Sequence, residues 1–466
     1  MEAGVRDATG NEASPALLRA LEGAGQVVTD ADVLDSYRRD HAAPGMVEDS
    51  RPLALVRPKS TAEVQAAVRA AAEHGASVVP RGAGTGLSGG SNATPGSIVV
   101  CTELMAAVRD VNAGALTATC EPGILNADLG KAVAEEGLHY APDPASYEIS
   151  SIGGNVATNA GGLCCVKYGV TRDALMAVEL VTADGAAHRL GGLTRKNVTG
   201  YDLLGLACGS EGTLGIITEV TVRLVPAPPP AHTLAASFPD MSSAGAAIMA
   251  IVRELRPSML EVMDRTTINA VEDFKPQELD RDAAAMLYAK TDSGGEVGAA
   301  EIERMRVICE EHGADLAMTT DEGAEGRMIT AARRLAYTAL EHTGQTALDD
   351  VAVPIDRIGE LFAATERIAE RNGVVIGTFG HAGDGNMHPT IVYDAENEDE
   401  LERARAAFGE LVGATLELGG TLSGEHGVGL LKRPFLDAEL GPTRQLHRAV
   451  KDAIDPAGLF NPDKSI

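Results

Sequence analysis

The feature that most constrains this chain is a cluster of prolines near its middle. Pro226, Pro228, Pro229 and Pro230 stand within five positions of one another. Proline fixes φ and lacks a backbone N–H, so such a run can continue neither a helix nor a central strand. A chain of 466 residues is also long enough to form two or three hydrophobic cores. We therefore expect a domain boundary at these prolines.

Both sides of the proline cluster combine helices and strands. A capping pair, Ser60 and Glu63, predicts a helix that ends near His74. Short β-branched strands separated by glycine-rich turns are predicted before the prolines, at 53–56, 77–79, 98–101, 178–182 and 216–224. After the prolines, helices at 243–255, 299–311, 324–341, 356–371 and 400–418 alternate with strands at 374–379 and 390–393. The predicted fold class is α+β, with helices covering a sheet and an extended tail over 455–466.

Charge and cysteine content exclude several classes of function. The 39 Lys and Arg residues are outnumbered by 67 Asp and Glu residues, and the formal net charge of -28 repels nucleic acids and anionic membranes. The six cysteines form no C-x-x-C pair, so no zinc ribbon or iron–sulfur cluster is expected. Without a signal-like N-terminus or a bilayer-length apolar run, we predict a cytoplasmic protein with no transmembrane segment.

A glycine-rich segment over 80–90 follows the strand predicted at 77–79. Its consecutive glycines let main-chain N–H groups turn around an anion such as a pyrophosphate. Gly84, Gly86 and Gly89 satisfy G-x-G-x-x-G, but residues 90–96 cannot form the helix that a dinucleotide fingerprint needs. A P-loop is excluded as well, because no Gly-Lys-Ser/Thr follows. Taken alone, the segment could still be a flexible surface loop.

Two further small-residue loops, 151–162 and 209–215, are predicted to have the same close-approach character. In this order, with Pro142-Asp143-Pro144 before the second, the three segments resemble the FAD-binding domain of the vanillyl-alcohol oxidase and p-cresol methylhydroxylase superfamily over roughly 53–226. The resemblance implies non-covalent FAD, because Thr85 stands in the first loop, where some members carry a flavin-linked His. It also implies these cofactor-binding residues: Arg81, Gly82, Ala83, Gly84, Thr85, Gly86, Ser88, Pro144, Gly153, Gly154, Asn155, Thr158, Gly161, Glu211, Gly212, Ile217 and Asn461.

Two histidine-bearing segments suggest a metal site. His381 and His388 flank one tight glycine-containing loop, and Glu425 and His426 are adjacent in a second glycine-rich segment. Two neutral imidazoles and a carboxylate form the three-ligand set of a catalytic divalent metal. Such a metal would lower the pKa of a substrate hydroxyl, and His426 would take the proton. Spacing alone leaves structural roles for these histidines equally open.

The C-terminal half of the chain also resembles a known group. Both histidine segments, with Asp455-Pro456 and Asn461-Pro462, are similar to those of the glycolate oxidase flavin subunit, D-lactate dehydrogenase and D-2-hydroxyglutarate dehydrogenase group. The resemblance places metal ligands at His381, His388 and Glu425, with zinc, manganese and iron as candidate metals, and the catalytic base at His426. Counting back from Val353-Pro354, it places the carboxylate-binding arginine at Arg333. Tyr337, one turn later, would line the same pocket, whereas Arg334 stays open and Arg327 is interpreted as a solvated helix charge.

These inferences combine into one functional hypothesis. We expect a helical extension over 1–50, a two-subdomain FAD-binding domain over 51–228, an α+β substrate and metal-binding (cap) domain over 229–420, and a segment over 421–466 that returns to the FAD domain and completes the active site. The predicted activity is FAD-dependent oxidation of a small 2-hydroxy acid, glycolate or D-lactate first, by hydride transfer to the flavin. The sequence does not identify the electron acceptor or partner redox subunit. It also leaves open whether the protein forms a homodimer. The alternatives are a D-2-hydroxyglutarate-type dehydrogenase, a metal-dependent hydrolase and a non-catalytic electron-relay subunit.

Overall fold

A computed structural model describes residues 13–321 and 323–466 of the chain. It begins with α1 (Pro15–Leu21), β1 (Gln26–Val28) and α2 (Ala31–Ser36). The first twelve residues of the predicted N-terminal extension lie outside the described part. Among the described residues, no helix combines the length and apolar character needed to cross a bilayer.

The first sheet has four strands and lies directly after this N-terminal part. Its strands β2 (Ala54–Arg57), β3 (Ser77–Arg81) and β4 (Ser97–Cys101) are parallel, and β1 joins them antiparallel in the order β1-β2-β4-β3. The crossover helix α3 (Thr61–His74) begins as predicted, because the Ser60 hydroxyl accepts from Glu63 N and the Glu63 carboxylate accepts from Lys59 N. Strand β3 leads directly into the glycine-rich loop.

The second sheet is antiparallel and has five strands in the order β5-β6-β10-β8-β9. Its strands are β5 (Val108–Asn112), β6 (Thr117–Cys120), β8 (Leu175–Val181), β9 (Ala187–Gly191) and β10 (Ile216–Arg223), and the short strands β7 (Leu138–His139) and β11 (Val225–Pro226) pair separately. Its helices are α4 (Asn126–Ala134), α5 (Ile152–Thr158), α6 (Cys165–Tyr168), α7 (Thr171–Ala174) and α8 (Leu203–Ala207). Apolar side chains of β6, β8 and β10 pack on α4 and α5.

The third sheet follows the prolines and is antiparallel throughout, in the order β15-β12-β14-β13-β18-β19-β16, with β17 also paired to β19. Its strands are β12 (His232–Phe238), β13 (Met259–Asp264), β14 (Ala285–Thr291), β15 (Leu316–Asp321), β16 (Gln345–Leu348), β17 (Val351–Ala352), β18 (Val375–His381) and β19 (Asn386–Tyr393). Its helices are α9 (Met241–Glu254), α10 (Arg265–Phe274), α11 (Gly295–Glu311), α12 (Ala324–Arg334), α13 (Ala336–Thr343), α14 (Ile358–Asn372) and α15 (Glu398–Glu417). One face packs on α9, α11 and α14, and the other on α10 and α13.

The predicted α+β class is confirmed, with local corrections to individual elements. The helix predicted over 324–341 is two helices, because Leu335 N is shared between the carbonyls of Ala331 and Ala332 and the last turn of α12 tightens. The strands predicted at 374–379 and 390–393 extend to β18 and β19, so the loop between the histidines shrinks to a short turn.

The C-terminal segment contains α16 (Leu436–Leu440) and α17 (Arg444–Ile454) and then returns to the first sheet. Phe460 forms a parallel bridge to Val78, and Asn461 N donates to Val78 O at 2.9 Å. The tail is turned rather than extended as predicted. The reason is that the Asp455 carboxylate accepts from the N–H groups of Leu459 and Phe460 and folds the chain back on itself.

Candidate active site

A cavity of about 500 Å³ lies between the glycine-rich loop and the third sheet. Its wall includes the loop over 82–88, the start of α5 and several residues of 210–217. Arg333, His381, His388, Glu425 and His426 also line it. Residues predicted to bind a flavin and residues predicted to bind a metal and a substrate therefore share one cavity.

The glycine-rich loop presents unused backbone donors to this cavity. It leaves β3 after Arg81, and Gly84 is buried at φ +76°, a conformation that favours glycine. Within the described part of the chain, the N–H groups of Gly84, Thr85 and Gly86 donate to no other protein atom. A row of free N–H groups beside a cavity is what a pyrophosphate needs, so the loop fits the phosphate end of FAD.

The second small-residue segment is a helix and not a loop, which corrects the prediction. Ser151 caps α5 by accepting from Gly154 N, and the same hydroxyl accepts from Ala83 N of the glycine-rich loop, each at 3.3 Å. The side-chain Nδ2 of Asn155 is buried against the cavity and has no hydrogen-bond partner among the described residues. This free donor is a second observation that fits a polar cofactor.

Two predicted FAD residues, Gly161 and Asn461, stand behind the cavity wall, whereas the other fifteen line it. Asn461 Nδ2 donates to the carbonyls of Gly90 and Glu211, which holds the first and third segments together. The Glu211 carboxylate lines the cavity and accepts from Val428 N and Gly429 N, each at 2.8 Å. The structure thus places Asn461 as a support of the cofactor loops.

His381 and His388 lie on adjacent strands of one hairpin. The register of β18 and β19 pairs His381 with Asn386 and Phe379 with His388, so the two imidazoles are diagonal neighbours on the same face. Their ring centres are 5.1 Å apart. The turn between the strands covers only 382–385, where Gly385 has φ +86°.

All three imidazoles converge on one oxygen of Glu425. The Nε2 atoms of His381, His388 and His426 lie 3.1, 3.5 and 3.9 Å from Glu425 Oε1. The other oxygen, Oε2, accepts a 2.7 Å hydrogen bond from Gly161 N. His388 and His426 are stacked, with ring centres 5.0 Å apart and planes 12° from parallel. The structure therefore brings together all four residues of the predicted metal and base set.

Asp350, which the sequence analysis missed, holds the Glu425 segment in place. Its Oδ2 accepts from Glu425 N and His426 N, both at 2.8 Å, and from the Ser423 hydroxyl at 3.0 Å. Asp350 belongs to a group of four possible ligands whose donor atoms lie within 4.8 Å of one another, together with His388, Glu425 and His426. Because Oδ2 already accepts three hydrogen bonds, we interpret Asp350 as a positioning residue. The acidic pair Asp349-Asp350 after an apolar strand was the signal for it.

The electrostatics of this cluster suit a cation. Burial would raise the pKa of Glu425, but the neighbouring His381, His426 and His388 lower it to about 2, so the group is a carboxylate. Burial, together with His426 and His381, lowers the pKa of His388 well below its ordinary value and keeps the imidazole neutral. Burial likewise acts against ionisation of Asp350, yet His426 and Lys432 hold its pKa well below the usual range. A neutral imidazole and an ionised carboxylate are the forms that bind a divalent metal.

Arg333 lies at the cavity end of α12 and is only 5% exposed. Its Nη2 is 2.6 Å from Glu261 Oε2, its guanidinium carbon lies 4.8 Å from the centre of the Phe379 ring, and its Nε is buried without a hydrogen-bond partner among the described residues. A guanidinium of a cavity-lining arginine is suited to a substrate carboxylate. Glu261 is the second residue that the sequence analysis missed, although an acidic residue inside the apolar run 259–263 was a signal.

Tyr337 also lines the cavity, from the first turn of α13, and its hydroxyl accepts from the Thr346 hydroxyl at 3.2 Å. Arg334 lines the cavity as well, but it is directed to Asp143 Oδ2 at 3.6 Å and over the ring of Tyr147. The side chain of Arg327 lies outside the described part of the structure.

Comparisons with known proteins agree with this geometry. A family model described as "FAD binding domain" matches residues 52–191, and one described as "FAD linked oxidases, C-terminal domain" matches residues 227–465. The glycolate oxidase subunit GlcD of Bacillus subtilis (strain 168) is 39% identical over 444 residues, which cover 95% of this chain and 92% of that protein. The D-lactate dehydrogenase of Archaeoglobus fulgidus is 34% identical and covers 93% of this chain and 96% of its own length.

A solved structure supports the fold. p-Cresol methylhydroxylase with substrate bound superposes with a TM-score of 0.81 at 19% identity, and the match covers 99% of this chain and 98% of the other. The resemblances inferred from the three small-residue segments and the histidine segments are confirmed by these matches.

Proposed function

The chain belongs to the FAD-linked oxidases, and from this premise we propose that it oxidises glycolate or D-lactate, with the help of a divalent metal, to the corresponding 2-oxo acid. At a coarser level, it is an FAD-dependent oxidoreductase that acts on the CH–OH group of a 2-hydroxy acid. The choice of substrate is supported by the names of the relatives. The involvement of a metal is supported by the donor set around Glu425.

One observation carries the proposal: three imidazoles converge on one carboxylate in a cavity that the glycine-rich loop also lines. His381, His388 and Glu425 would hold the metal, because the Nε2 atoms of both histidines face Glu425 Oε1, and a metal that takes the place of the proton on His381 Nε2 would meet two ring nitrogens and a carboxylate oxygen. His426 has a side chain 22% exposed and lines the cavity, so it is the histidine best placed to meet a substrate.

The protein's own residues bind and orient the substrate. The guanidinium of Arg333 would donate hydrogen bonds to the substrate carboxylate, and Tyr337 would close the same side of the pocket. This fixes the substrate hydroxyl near Glu425, where His426 Nε2 takes the hydroxyl proton as the C–H bond breaks. When bound, the metal supplies Lewis acidity to the hydroxyl oxygen and the flavin accepts the hydride, so that the 2-hydroxy acid loses two electrons and two hydrogens in total.

The backbone of His426 is fixed from two sides. Its N–H donates to Asp350 Oδ2, and its carbonyl accepts from the Ser88 hydroxyl of the glycine-rich loop at 3.0 Å. The base is therefore tied both to the residues around the metal site and to the loop that would hold the FAD phosphates. Such double anchoring limits displacement of the His426 backbone relative to that loop.

The alternatives differ in what the cavity has to hold. A hydrolase would need the metal cluster without a flavin site, whereas here both lie in one cavity. An electron-relay subunit would need neither a guanidinium nor a base in the cavity. A D-2-hydroxyglutarate-type dehydrogenase would use the same residues, and the substrate panel below distinguishes it.

Anaerobic titration of the purified flavoprotein with D- and L-2-hydroxy acids tests the proposal. We expect glycolate or D-lactate to bleach the flavin absorbance, D-2-hydroxyglutarate to do so less efficiently, and chelation of the metal to slow the bleaching. We also expect denaturation to release FAD, because Thr85 offers no nucleophilic ring to link it. Flavin that stays oxidised with every acid in the panel would refute the assignment. In turnover assays, an artificial electron acceptor can replace the physiological partner.

A further inference from the structure

A buried carboxylate joins the two halves of the proposed substrate site. Glu261 is fully buried, with Oε1 2.7 Å from His381 Nδ1 and Oε2 2.6 Å from Arg333 Nη2. It does not line the cavity, so it is out of reach of a substrate. Its two oxygens serve two residues with different proposed roles, one toward the metal and one toward the substrate carboxylate.

The sheet explains why Glu261 meets both residues. On β13, Glu261 lies directly opposite His381 of β18 and Tyr288 of β14, so these side chains share one face of the sheet. The same face carries Met259 and Met263, which pack with α10 and α13. A carboxylate in such apolar surroundings is costly unless charged or hydrogen-bonded partners compensate it. Here Arg333, on the last turn of α12, covers that face and provides the compensating charge.

We propose that Glu261 is a positioning residue that ties the carboxylate-binding Arg333 to the metal-binding His381. The inference rests on the proposed function, since it takes the roles of these two residues from there. Glu261 would set the distance and orientation between Arg333, which binds the substrate carboxylate, and His381, which binds the metal.

The contact with His381 selects one tautomer. Nδ1–H donates to Glu261 Oε1, so Nε2, which is hydrogen-bonded to Glu425 Oε1 at 3.1 Å, is the nitrogen that a metal would bind by displacing the Nε2 proton. The contact with Arg333 is an ion pair in which Nη2 lies 2.6 Å from Oε2, and it holds the guanidinium of this cavity-lining residue in place. Glu261 therefore contacts both the residue that would bind the substrate carboxylate and the residue that would bind the metal.

Only a carboxylate at position 261 can serve both partners. One oxygen must accept from the imidazole Nδ1–H, and the other must carry negative charge beside the guanidinium. In Glu261→Gln one of the two positions becomes an NH₂ group, which either opposes Arg333 or forces His381 to carry its proton on Nε2. In Glu261→Asp the charge is retained, but the side chain is one methylene too short to reach both partners.

The test uses FAD-loaded protein freed of metal by a chelator. Two quantities are measured: the affinity for Mn²⁺ by calorimetry, and the affinity of the metal-free protein for oxalate, read from the flavin absorbance. For Glu261→Gln we expect Mn²⁺ affinity to fall about 10- to 100-fold, the usual effect of losing a partner of a metal-binding histidine. Oxalate affinity should fall in the same variant, whereas FAD content should stay unchanged because Glu261 does not line the cavity.

A matched control is Glu272→Gln. Glu272 is also a buried glutamate of the third-sheet region, on α10, and its Oε1 accepts from Gln277 N and Leu279 N. The Glu272→Gln substitution is expected to leave the affinities for Mn²⁺ and oxalate at the wild-type level. Glu261→Asp should recover neither affinity fully, which separates the need for two acceptors from the need for charge alone.

The possible outcomes can be distinguished. Native Mn²⁺ and oxalate affinities in Glu261→Gln overturn the inference, and loss of only one of them overturns the linking role. If the variants do not fold, the ring ¹⁵N shifts of His381 in the zinc-loaded wild-type protein decide, since an Nδ1-protonated tautomer supports the inference and an Nδ1-deprotonated ring overturns it. Failure of the wild-type flavin to be reduced by any 2-hydroxy acid instead overturns the proposed function.

Discussion

Gly161 tests whether the metal site depends on backbone from the FAD-binding half of the chain. Its N–H donates to Glu425 Oε2 at 2.7 Å, and a Cβ built on Gly161 would lie 2.6 Å from that same oxygen. An ordinary contact begins near 3.4 Å, so the Glu425 carboxylate would have to retreat by about 0.8 Å in Gly161→Ala. Cys165 Sγ, at 3.1 Å from the same Cβ, limits movement of residue 161 itself in the opposite direction.

The magnitude follows from what the retreat breaks. The hydrogen bond to a charged carboxylate would lengthen beyond its normal range, and such bonds contribute about 1.5–3 kcal/mol. The ligand oxygen would also leave the point on which the three imidazoles converge. We therefore expect Gly161→Ala to weaken Mn²⁺ binding by about 10- to 100-fold, since each 1.4 kcal/mol is about a factor of ten in affinity.

The assay is calorimetric titration of Mn²⁺ into the FAD-loaded, metal-free protein, with flavin content measured in parallel. The matched control is Gly413→Ala, on the exposed side of α15, where a Cβ meets nothing within 4 Å. That substitution should leave metal affinity unchanged and raise stability slightly, because alanine is the better helix former. Wild-type Mn²⁺ affinity in Gly161→Ala would refute the reasoning that this N–H fixes Glu425.

Three other substitutions test separate parts of the site. His426→Ala should retain FAD and slow flavin reduction by about 10² to 10⁴-fold, as measured by anaerobic stopped flow, because the base is lost; near-normal reduction would remove His426 from that role. Arg333→Lys should raise the substrate KM about 10- to 100-fold, since lysine lacks the paired donors of a guanidinium. An unchanged KM would contradict the assignment of Arg333 to the substrate carboxylate. Lys432→Met leaves the fully buried Asp349 unpaired and should cost about 3–5 kcal/mol of unfolding free energy in guanidinium titrations; a neutral effect would show that Asp349 is uncharged.

The parts of the fold that the sequence predicted well are those set by local chemistry. Ser60 and Glu63 start α3 as predicted, because a capping box is formed by residues a few positions apart. The sequence also indicates that His381 and His388 lie close together, since both are next to one glycine-containing turn. The sequence could not show that both histidines lie within strands, because the register depends on hydrogen bonds across the hairpin.

The residues that were missed act through long-range contacts. Glu261 is 120 positions from His381 and becomes its partner only through the register of β13 with β18. Asp350 is 75 positions from Glu425 and holds its N–H group only after the C-terminal segment has folded back. Neither has a local motif, so the available signals were an acidic residue within an apolar run for Glu261 and an acidic pair after an apolar strand for Asp350. The sequence predicts a loop over 151–162, where glycines disfavour a helix. In the structure α5 forms there, because capping by Ser151 offsets the low helix propensity of glycine.

The position of residues 423–432 explains why the two halves of the site cannot be considered separately. Leu430 N and Leu431 N donate to Ser88 O of the glycine-rich loop, and the Glu211 carboxylate accepts from the segment as well. The other side of the same segment is held by Asp350, which lies beside the histidine hairpin. Any coupling between FAD binding and metal binding would therefore act through this short segment. By linkage, FAD would then change the metal affinity by the same factor as the metal changes the FAD affinity.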